Sequence, residues 1–178
     1  MSTPIPTLPV LLQSLYGLAA ASIVLANSIP ALQRRFVGYG KTSPTTTTGA
    51  SGLLDRLAAL TVPHALFSHF YVCGVALSLF WMAQMVTRGP WYRCVAGLAS
   101  GGGGGGAGQQ GAMAIEQVVL AWACFLAQVA RRLYECLYVQ RSGGGGGRAS
   151  RMWVAHYLVG LLFYAAMAVA VWVEGTGA

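Results

Sequence analysis

Four long apolar runs alternate with polar or glycine-rich stretches along this chain of 178 residues. The runs cover about residues 8–32, 63–87, 113–138 and 152–173, and the first, second and fourth contain no charged residue. At about 1.5 Å per helical residue, each run is long enough to cross about 30 Å of hydrocarbon. The pattern predicts a single all-α membrane domain over residues 1–178, a polytopic helical bundle with about four transmembrane helices.

The stretches between the runs have the composition of loops. Residues 42–52, 97–111 and 143–147 are low-complexity segments rich in threonine or glycine, which cannot bury a packed core. The glycine tract at residues 101–106 has neither a GxGxxG spacing nor a following lysine and hydroxyl, so it does not indicate a phosphate-binding loop. We therefore interpret these stretches as linkers.

Composition strengthens the membrane prediction and excludes other classes. The chain is 56% hydrophobic and 8% charged, whereas soluble domains average about 25% charged residues. The net charge of +7 comes from residues in the gaps between apolar runs, which is typical of membrane topology and does not indicate nucleic-acid binding. The four cysteines form no CxxC pair, so neither a disulfide framework nor a metal site is predicted.

The distribution of basic residues predicts the orientation. The first gap contains four lysines and arginines, the third gap and its helix ends contain five, and the second contains two. By the positive-inside rule, Gln33–Val62 and Gln140–Ser150 are cytosolic. Both termini then face the lumen or the exterior. The first run lacks a basic amino-terminal region, so we expect a membrane span rather than a cleaved signal peptide.

One polar stripe interrupts the third apolar run. On a helix, Gln128, Arg131, Arg132 and Glu135 share a face, because they are spaced three, four and seven residues apart. Charges inside a membrane are costly and usually face the bundle interior or a watery cavity, where they serve function. The alternative is a helix end at the headgroup level, with snorkelling arginines and Glu135 as their counterion. The sequence leaves both interpretations open.

Three stretches resemble the polyprenol reductase branch of the steroid 5-alpha-reductase family. They are VPHALFSHFYV (Val62–Val72), QVARRLYECLYV (Gln128–Val139) and RMWVAHYLVGLLFY (Arg151–Tyr164). RRFVGYGK (Arg34–Lys41) adds weaker support. The resemblance implies a multi-pass enzyme of the endoplasmic reticulum membrane with a lumenal amino terminus. Such an enzyme uses NADPH to saturate the alpha-isoprene unit of a long-chain polyprenoid lipid, in dolichol biosynthesis for protein N-glycosylation.

The resemblance also implies the site residues. It implies that Tyr134 and Glu135 are the catalytic candidates. The residues expected to line the substrate or cofactor cavity are Arg131, Arg132, His69, Tyr71 and His156. There are two departures from the family. Steroid-branch relatives carry a tyrosine near the position of Val129, and the family's carboxy-terminal half, which supplies most cofactor-binding residues, has no counterpart here. We therefore expect the amino-terminal half of an enzyme, inactive by itself.

A second function remains open at this stage. A non-catalytic four-span protein that binds an isoprenoid lipid or a partner subunit has the same composition and the same spans. A transporter half is disfavoured, because the sequence has no internal repeat and no pair of matching spans broken by glycine or proline.

Overall fold

The computed structural model describes residues 7–33, 52, 56–57, 59–99, 113–139 and 151–173. Five helices of ten or more residues are described: α1 (Leu8–Ser28), α2 (Ser68–Val86), α3 (Pro90–Ala99), α4 (Ile115–Tyr134) and α5 (Val154–Val173). A short helical turn at Pro30–Leu32 follows α1, a 3₁₀ turn at His64–Phe67 leads into α2, and a π-helical turn at Glu135–Val139 follows α4. Two short strands, β1 (Thr61–Pro63) and β2 (Arg151–Trp153), complete the described elements.

The predicted all-α membrane bundle is confirmed. Three helical segments are long and apolar enough to span a membrane: Leu8–Ser28, His64–Val86 and Val154–Val173. Helix α4, within the predicted third span, is not among them, because its 20 residues include Glu116, Arg131 and Arg132. It nevertheless packs against both α2 and α5, so the charged helix belongs to the same bundle as the apolar ones.

A small antiparallel ribbon joins one end of the bundle. Strand β1 pairs with β2 in the register Thr61↔Trp153, Val62↔Met152 and Pro63↔Arg151. The Arg151 guanidinium donates to the Thr61 hydroxyl at 2.7 Å and to the Thr61 carbonyl at 2.9 Å. The ribbon therefore holds the starts of α2 and α5 side by side, and we call this the ribbon end. Residues 152–153, predicted to begin the last span, lie in a strand because their backbone partners come from a segment about 90 positions away in the chain.

The opposite end, the tryptophan end, holds the main apolar core. The Trp81 and Trp172 rings lie 5.1 Å apart, and Tyr92 lies 5.6 Å from Trp172. Side chains from the start of α1, the start of α4 and the end of α5 close around them: Leu8, Leu12, Val118, Ala168, Val171 and Val173. Helices α1 and α4 thus begin at this end, whereas α2 and α5 finish here, so the long helices alternate in direction along the chain.

Helix α3 is a correction to the predicted loop at residues 97–111, because Gly97–Ala99 belong to it. It begins at Pro90, a residue pre-organised for the first helical position. Its inner face presents Tyr92, Val95 and Ala99 to the tryptophan core, and this tertiary contact stabilises a helix too short to form alone. Residues 100–111, the loops 42–52 (apart from Gly52) and 143–147, and Arg34–Lys41 lie outside the described residues.

Candidate functional site

The polar stripe of α4 reaches the ribbon end, where the helix changes to a π-helical turn. Glu135, the first residue of that turn, accepts hydrogen bonds from two arginines. The Arg131 Nε atom lies 2.9 Å from Glu135 Oε1, and the Arg132 Nη1 atom lies 2.5 Å from Glu135 Oε2. One carboxylate therefore holds both guanidinium groups, and its own side chain is 23% exposed.

The two arginines differ in what else they contact. The Arg131 side chain is 74% exposed, whereas that of Arg132 is 35% exposed and points towards α2. There Arg132 Nε donates to the Tyr71 hydroxyl at 3.4 Å, and the guanidinium lies 5.6 Å from the centre of the Tyr71 ring. A guanidinium within about 6 Å of an aromatic face is attracted to it. Arg132 thus turns into the bundle, and Tyr71, Arg132 and Glu135 form what we call the polar cluster.

Tyr71 is the buried member of the polar cluster. Its side chain is 4% exposed, held by edge-to-face contacts with Phe67 at 5.5 Å and Tyr164 at 5.5 Å. Such contacts fix a ring more tightly than burial alone. The phenol hydroxyl is therefore presented at one defined point, between an aromatic wall and a cation.

The charge on Glu135 is set by its neighbours. Glu135 lies in the turn after α4, outside the three candidate spans. Hydrogen bonds from Arg131 and then Arg132 hold the pKa of the Glu135 carboxyl below its ordinary value. Glu135 is therefore a carboxylate at neutral pH, suited to orient a guanidinium and poorly suited to donate a proton.

A groove opens beside the polar cluster. It has a volume of about 540 Å³ and lies between the 3₁₀ turn before α2 and the π-helical turn after α4. Phe67 both lines the groove and contacts the Tyr71 ring, so the groove lies next to the polar cluster. The lining residues are His64, Ala65, Phe67, Ser68, Cys136, Leu137 and Tyr138.

Not every predicted site residue joins this cluster. Tyr134 is 59% exposed and lies against Tyr138, with ring centres 4.9 Å apart. Their four-residue spacing places both rings in one row on the helix, and both side chains are exposed. The predicted catalytic tyrosine therefore lies apart from the polar cluster.

The two predicted histidines also lie at the ribbon end but have other contacts. His69 is exposed, and its Nδ1 atom lies 3.1 Å from the Tyr157 hydroxyl. His156 is exposed and meets the edge of Trp153 at 5.4 Å. Both histidines lie near the starts of α2 and α5. The contacts just given are with Tyr157 and Trp153, which are not members of the polar cluster.

Sequence reasoning missed the aromatic residues that surround Tyr71. Phe67 precedes Tyr71 by four residues, so their shared helical face is a signal available in the sequence. Tyr157 and Tyr164, seven residues apart on α5, likewise share one face. In the structure the two faces meet, and the Phe70 and Tyr157 ring centres lie 5.6 Å apart. This contact depends on packing between segments that are distant in the chain.

Comparison with known proteins finds a similar sequence in yeast. It is 32% identical over 133 residues to a protein of Saccharomyces cerevisiae named polyprenal reductase. The match covers 74% of this chain and 39% of the relative, so the chain spans about two fifths of the relative's length. No family model matches the chain, and no solved structure matches it significantly.

Proposed function

We propose that this chain, like the polyprenal reductase to which it is similar, belongs to the polyprenol reductase branch of the steroid 5-alpha-reductase family, and that it forms the membrane region that receives the head of the lipid substrate. The observation that carries the proposal is the polar cluster, a charge-paired and tyrosine-bearing site at one end of a membrane bundle. It falls within two of the stretches on which the family resemblance rests, Val62–Val72 and Gln128–Val139.

The proposed substrate is a long-chain polyprenoid lipid with a polar carbonyl or hydroxyl head. Its apolar tail suits the lipid-facing surface of the bundle, where large apolar side chains of α4 and α5 are exposed, among them Leu120, Leu158 and Leu162. Its head would enter the groove between the turns that flank α2 and α4. The product would be the lipid with a saturated alpha-isoprene unit, as dolichol synthesis for N-glycosylation in the endoplasmic reticulum requires.

Tyr71 is the group that we propose to act on the carbonyl oxygen. Reduction of a double bond conjugated to a carbonyl is easier when a donor stabilises the negative charge that develops on that oxygen. The Tyr71 hydroxyl can donate such a hydrogen bond, while Arg132 Nε, itself a donor to the phenol oxygen, stabilises charge there. Glu135 holds Arg132 in place, so we assign it a positioning role. This proposal gives to Tyr71 the catalytic role for which Tyr134 was the candidate.

The reduction also needs a hydride, which NADPH supplies in this family. A dinucleotide carries several phosphate groups that bind cations or free backbone N–H groups. Beside the groove the described residues provide Arg131 and Arg132, and both are paired with Glu135. A metal ion is not proposed, because the described residues contain no group of three or more metal-ligating side chains. The described residues beside the groove do not fit an NADPH site.

The basic residues in the gaps next to the ribbon end also lead us to propose an orientation in the membrane. The gaps at residues 34–60 and 140–150 both connect to the ribbon end, and they are the basic ones. We therefore propose that the ribbon end faces the cytosol and that the amino terminus is lumenal. Glycosylation tags inserted in the first and second gaps should report opposite sides of the membrane.

A chimaera tests the reductase proposal directly. This chain would replace the matching part of the S. cerevisiae polyprenal reductase in cells that lack the native enzyme, and the ratio of polyprenol to dolichol would be measured by mass spectrometry. We expect the chimaera to restore dolichol. A chimaera that accumulates in the membrane to the level of the native enzyme yet forms no dolichol would refute the proposal.

The second candidate is a non-catalytic membrane protein that binds an isoprenoid lipid. It is favoured by one observation, which is that the described residues offer a groove and a polar cluster but do not fit a dinucleotide. Photo-crosslinking of the chain with an isoprenoid probe distinguishes the two. Lipid capture together with an inactive, stably expressed chimaera supports this second function, whereas an active chimaera supports the reductase.

A further inference from the structure

Helix α3 has an exposed surface that the proposed reductase reaction does not use. Its inner face, centred on Tyr92, packs on the tryptophan core. Its outer surface has two unlike edges, since helical residues advance by about 100° per position. Trp91 and Leu98, both 61% exposed, share an apolar edge with a seven-residue spacing. Arg93 and Gly97, four residues apart, lie on the other edge.

The turn that leads into α3 fixes the direction of these edges. Gly89 N–H donates to the Gln84 carbonyl at 2.8 Å, and Arg88 adopts a left-handed φ of 49°, as in a helix-ending Schellman turn. The Arg88 guanidinium then lies 5.9 Å from the centre of the Tyr92 ring. Arg93 Nε donates to the Arg88 carbonyl at 2.9 Å. Both arginine side chains therefore lie near the first turn of α3.

The surroundings of α3 indicate what covers its apolar edge. Helix α3 starts four residues after Val86, the last residue of a candidate span, whose side chain is 78% exposed. At the same end of the bundle, Ile115 and Val119 of α4 are 70% and 56% exposed. In a membrane protein such apolar side chains face acyl chains. Trp91 and Leu98 extend this lipid-facing surface around the tryptophan end.

We propose that α3 lies in the membrane–water interface, with Trp91 and Leu98 inserted towards the acyl chains and Arg88 and Arg93 directed to lipid phosphates. Tryptophan and arginine are the residues typical of this depth, and an apolar edge beside a basic edge is the pattern of an in-plane helix. The partner is thus the lipid surface itself. This inference does not depend on the reductase activity.

Spin labels at two neighbouring positions test the proposal in the 178-residue chain, reconstituted in phosphatidylcholine vesicles. A single cysteine is introduced as Leu98→Cys or, as the matched control, Gly97→Cys, where an added side chain meets no atom within 4 Å. Each nitroxide is then exposed to oxygen, which concentrates in the acyl region, and to a water-soluble nickel chelate. The native thiols removed beforehand are Cys73, Cys94, Cys124 and Cys136.

We expect the ratio of oxygen to nickel accessibility to be several-fold higher at position 98 than at position 97. Equal ratios with full nickel accessibility would overturn the proposal, because α3 would then stand in water. Low accessibility to both reagents at position 98 would also overturn it, because protein rather than lipid would cover the edge.

A second measurement applies if the cysteine-free chain does not fold. A photoreactive benzoylphenylalanine is placed at position 98 or 97 of the chain with its native cysteines, in the same vesicles. The proposal requires several-fold more lipid adduct from position 98. Equal adduct yields, or adducts only with protein, would contradict it.

Discussion

The two ends of the bundle are built from similar aromatic residues but differ in what those residues surround. At the tryptophan end, Trp81, Tyr92 and Trp172 pack on one another, and Trp172 is fully buried. At the ribbon end, aromatic rings surround a tyrosine hydroxyl that is paired with Arg132. The first arrangement buries apolar area, and the second fixes a polar group beside a groove.

If the proposed function holds, this difference separates stability from activity along the same helices. Helices α2 and α5 contribute to both ends, because each is about 20 residues long and spans the bundle. Close packing at the tryptophan end provides the rigid support that a preorganised polar site requires. We therefore expect substitutions at the tryptophan end to change stability, and those in the polar cluster to change activity while stability is retained.

The largest expected effect is that of Trp172→Ala. Removing this fully buried indole leaves a cavity that Trp81 and Tyr92 cannot fill, so the free energy of unfolding in bicelles should fall by about 3–5 kcal/mol. The control is Trp91→Ala, at a side chain 61% exposed, which should cost less than about 1 kcal/mol. Similar losses for both variants would show that the tryptophan end is not closely packed.

Gly160→Ala should have the next largest effect, at the ribbon end. A Cβ atom there would lie 2.8 Å from Phe70 Cζ, and Phe70 is held by Phe67 and Tyr157. Overpacking of this kind costs about 1–3 kcal/mol, measured as the same unfolding free energy.

A matched glycine in another span provides the comparison. Gly17 of α1 has no atom within 4 Å of an added Cβ, so Gly17→Ala should be neutral or stabilising by up to about 1 kcal/mol, from helix propensity. If Gly160→Ala were as well tolerated as Gly17→Ala, then α2 and α5 would not be closely packed near the polar cluster.

The polar cluster should give the opposite result, with lost activity and unchanged protein. In the chimaera, Tyr71→Phe, Arg132→Ala and Glu135→Gln should each lower dolichol formation by about tenfold or more, because each removes or displaces the donor that stabilises the developing negative charge. Membrane levels should stay the same. Arg93→Gln, at the tryptophan end, is the control and should be silent. Three silent cluster variants would favour the alternative in which the arginines only snorkel to the headgroups.

The smallest expected effect is that of Arg88→Gly. Glycine adopts a left-handed φ without strain, whereas this conformation costs other residues roughly 1–2 kcal/mol. The substitution also removes the guanidinium and with it an exposed cation–π contact worth about 0.5–1 kcal/mol. The net change in unfolding free energy should therefore be close to zero. Arg88→Ala loses the contact without relieving the backbone, so it should be the more destabilising of the two. The reverse order would mean that the turn is not strained.

The sequence by itself determined the long helices and the local ion pairs. Apolar runs without charge are sufficient to predict spans, because a membrane leaves the backbone few alternatives to helix. The contacts of Glu135 with Arg131 and Arg132 also follow from local spacing, since residues three and four apart lie on one helical face. The same spacing placed Tyr134 beside Tyr138.

Only the tertiary structure decided which of these faces matters. Tyr71 reaches Arg132 from 61 positions away, the ribbon joins segments about 90 positions apart, and α3 forms because Tyr92 finds Trp172. No local periodicity encodes such pairings, because they depend on how the helices are rotated against one another. The rotation that turned Tyr134 outwards brought Arg132 to Tyr71, and so it selected the residues of the candidate site.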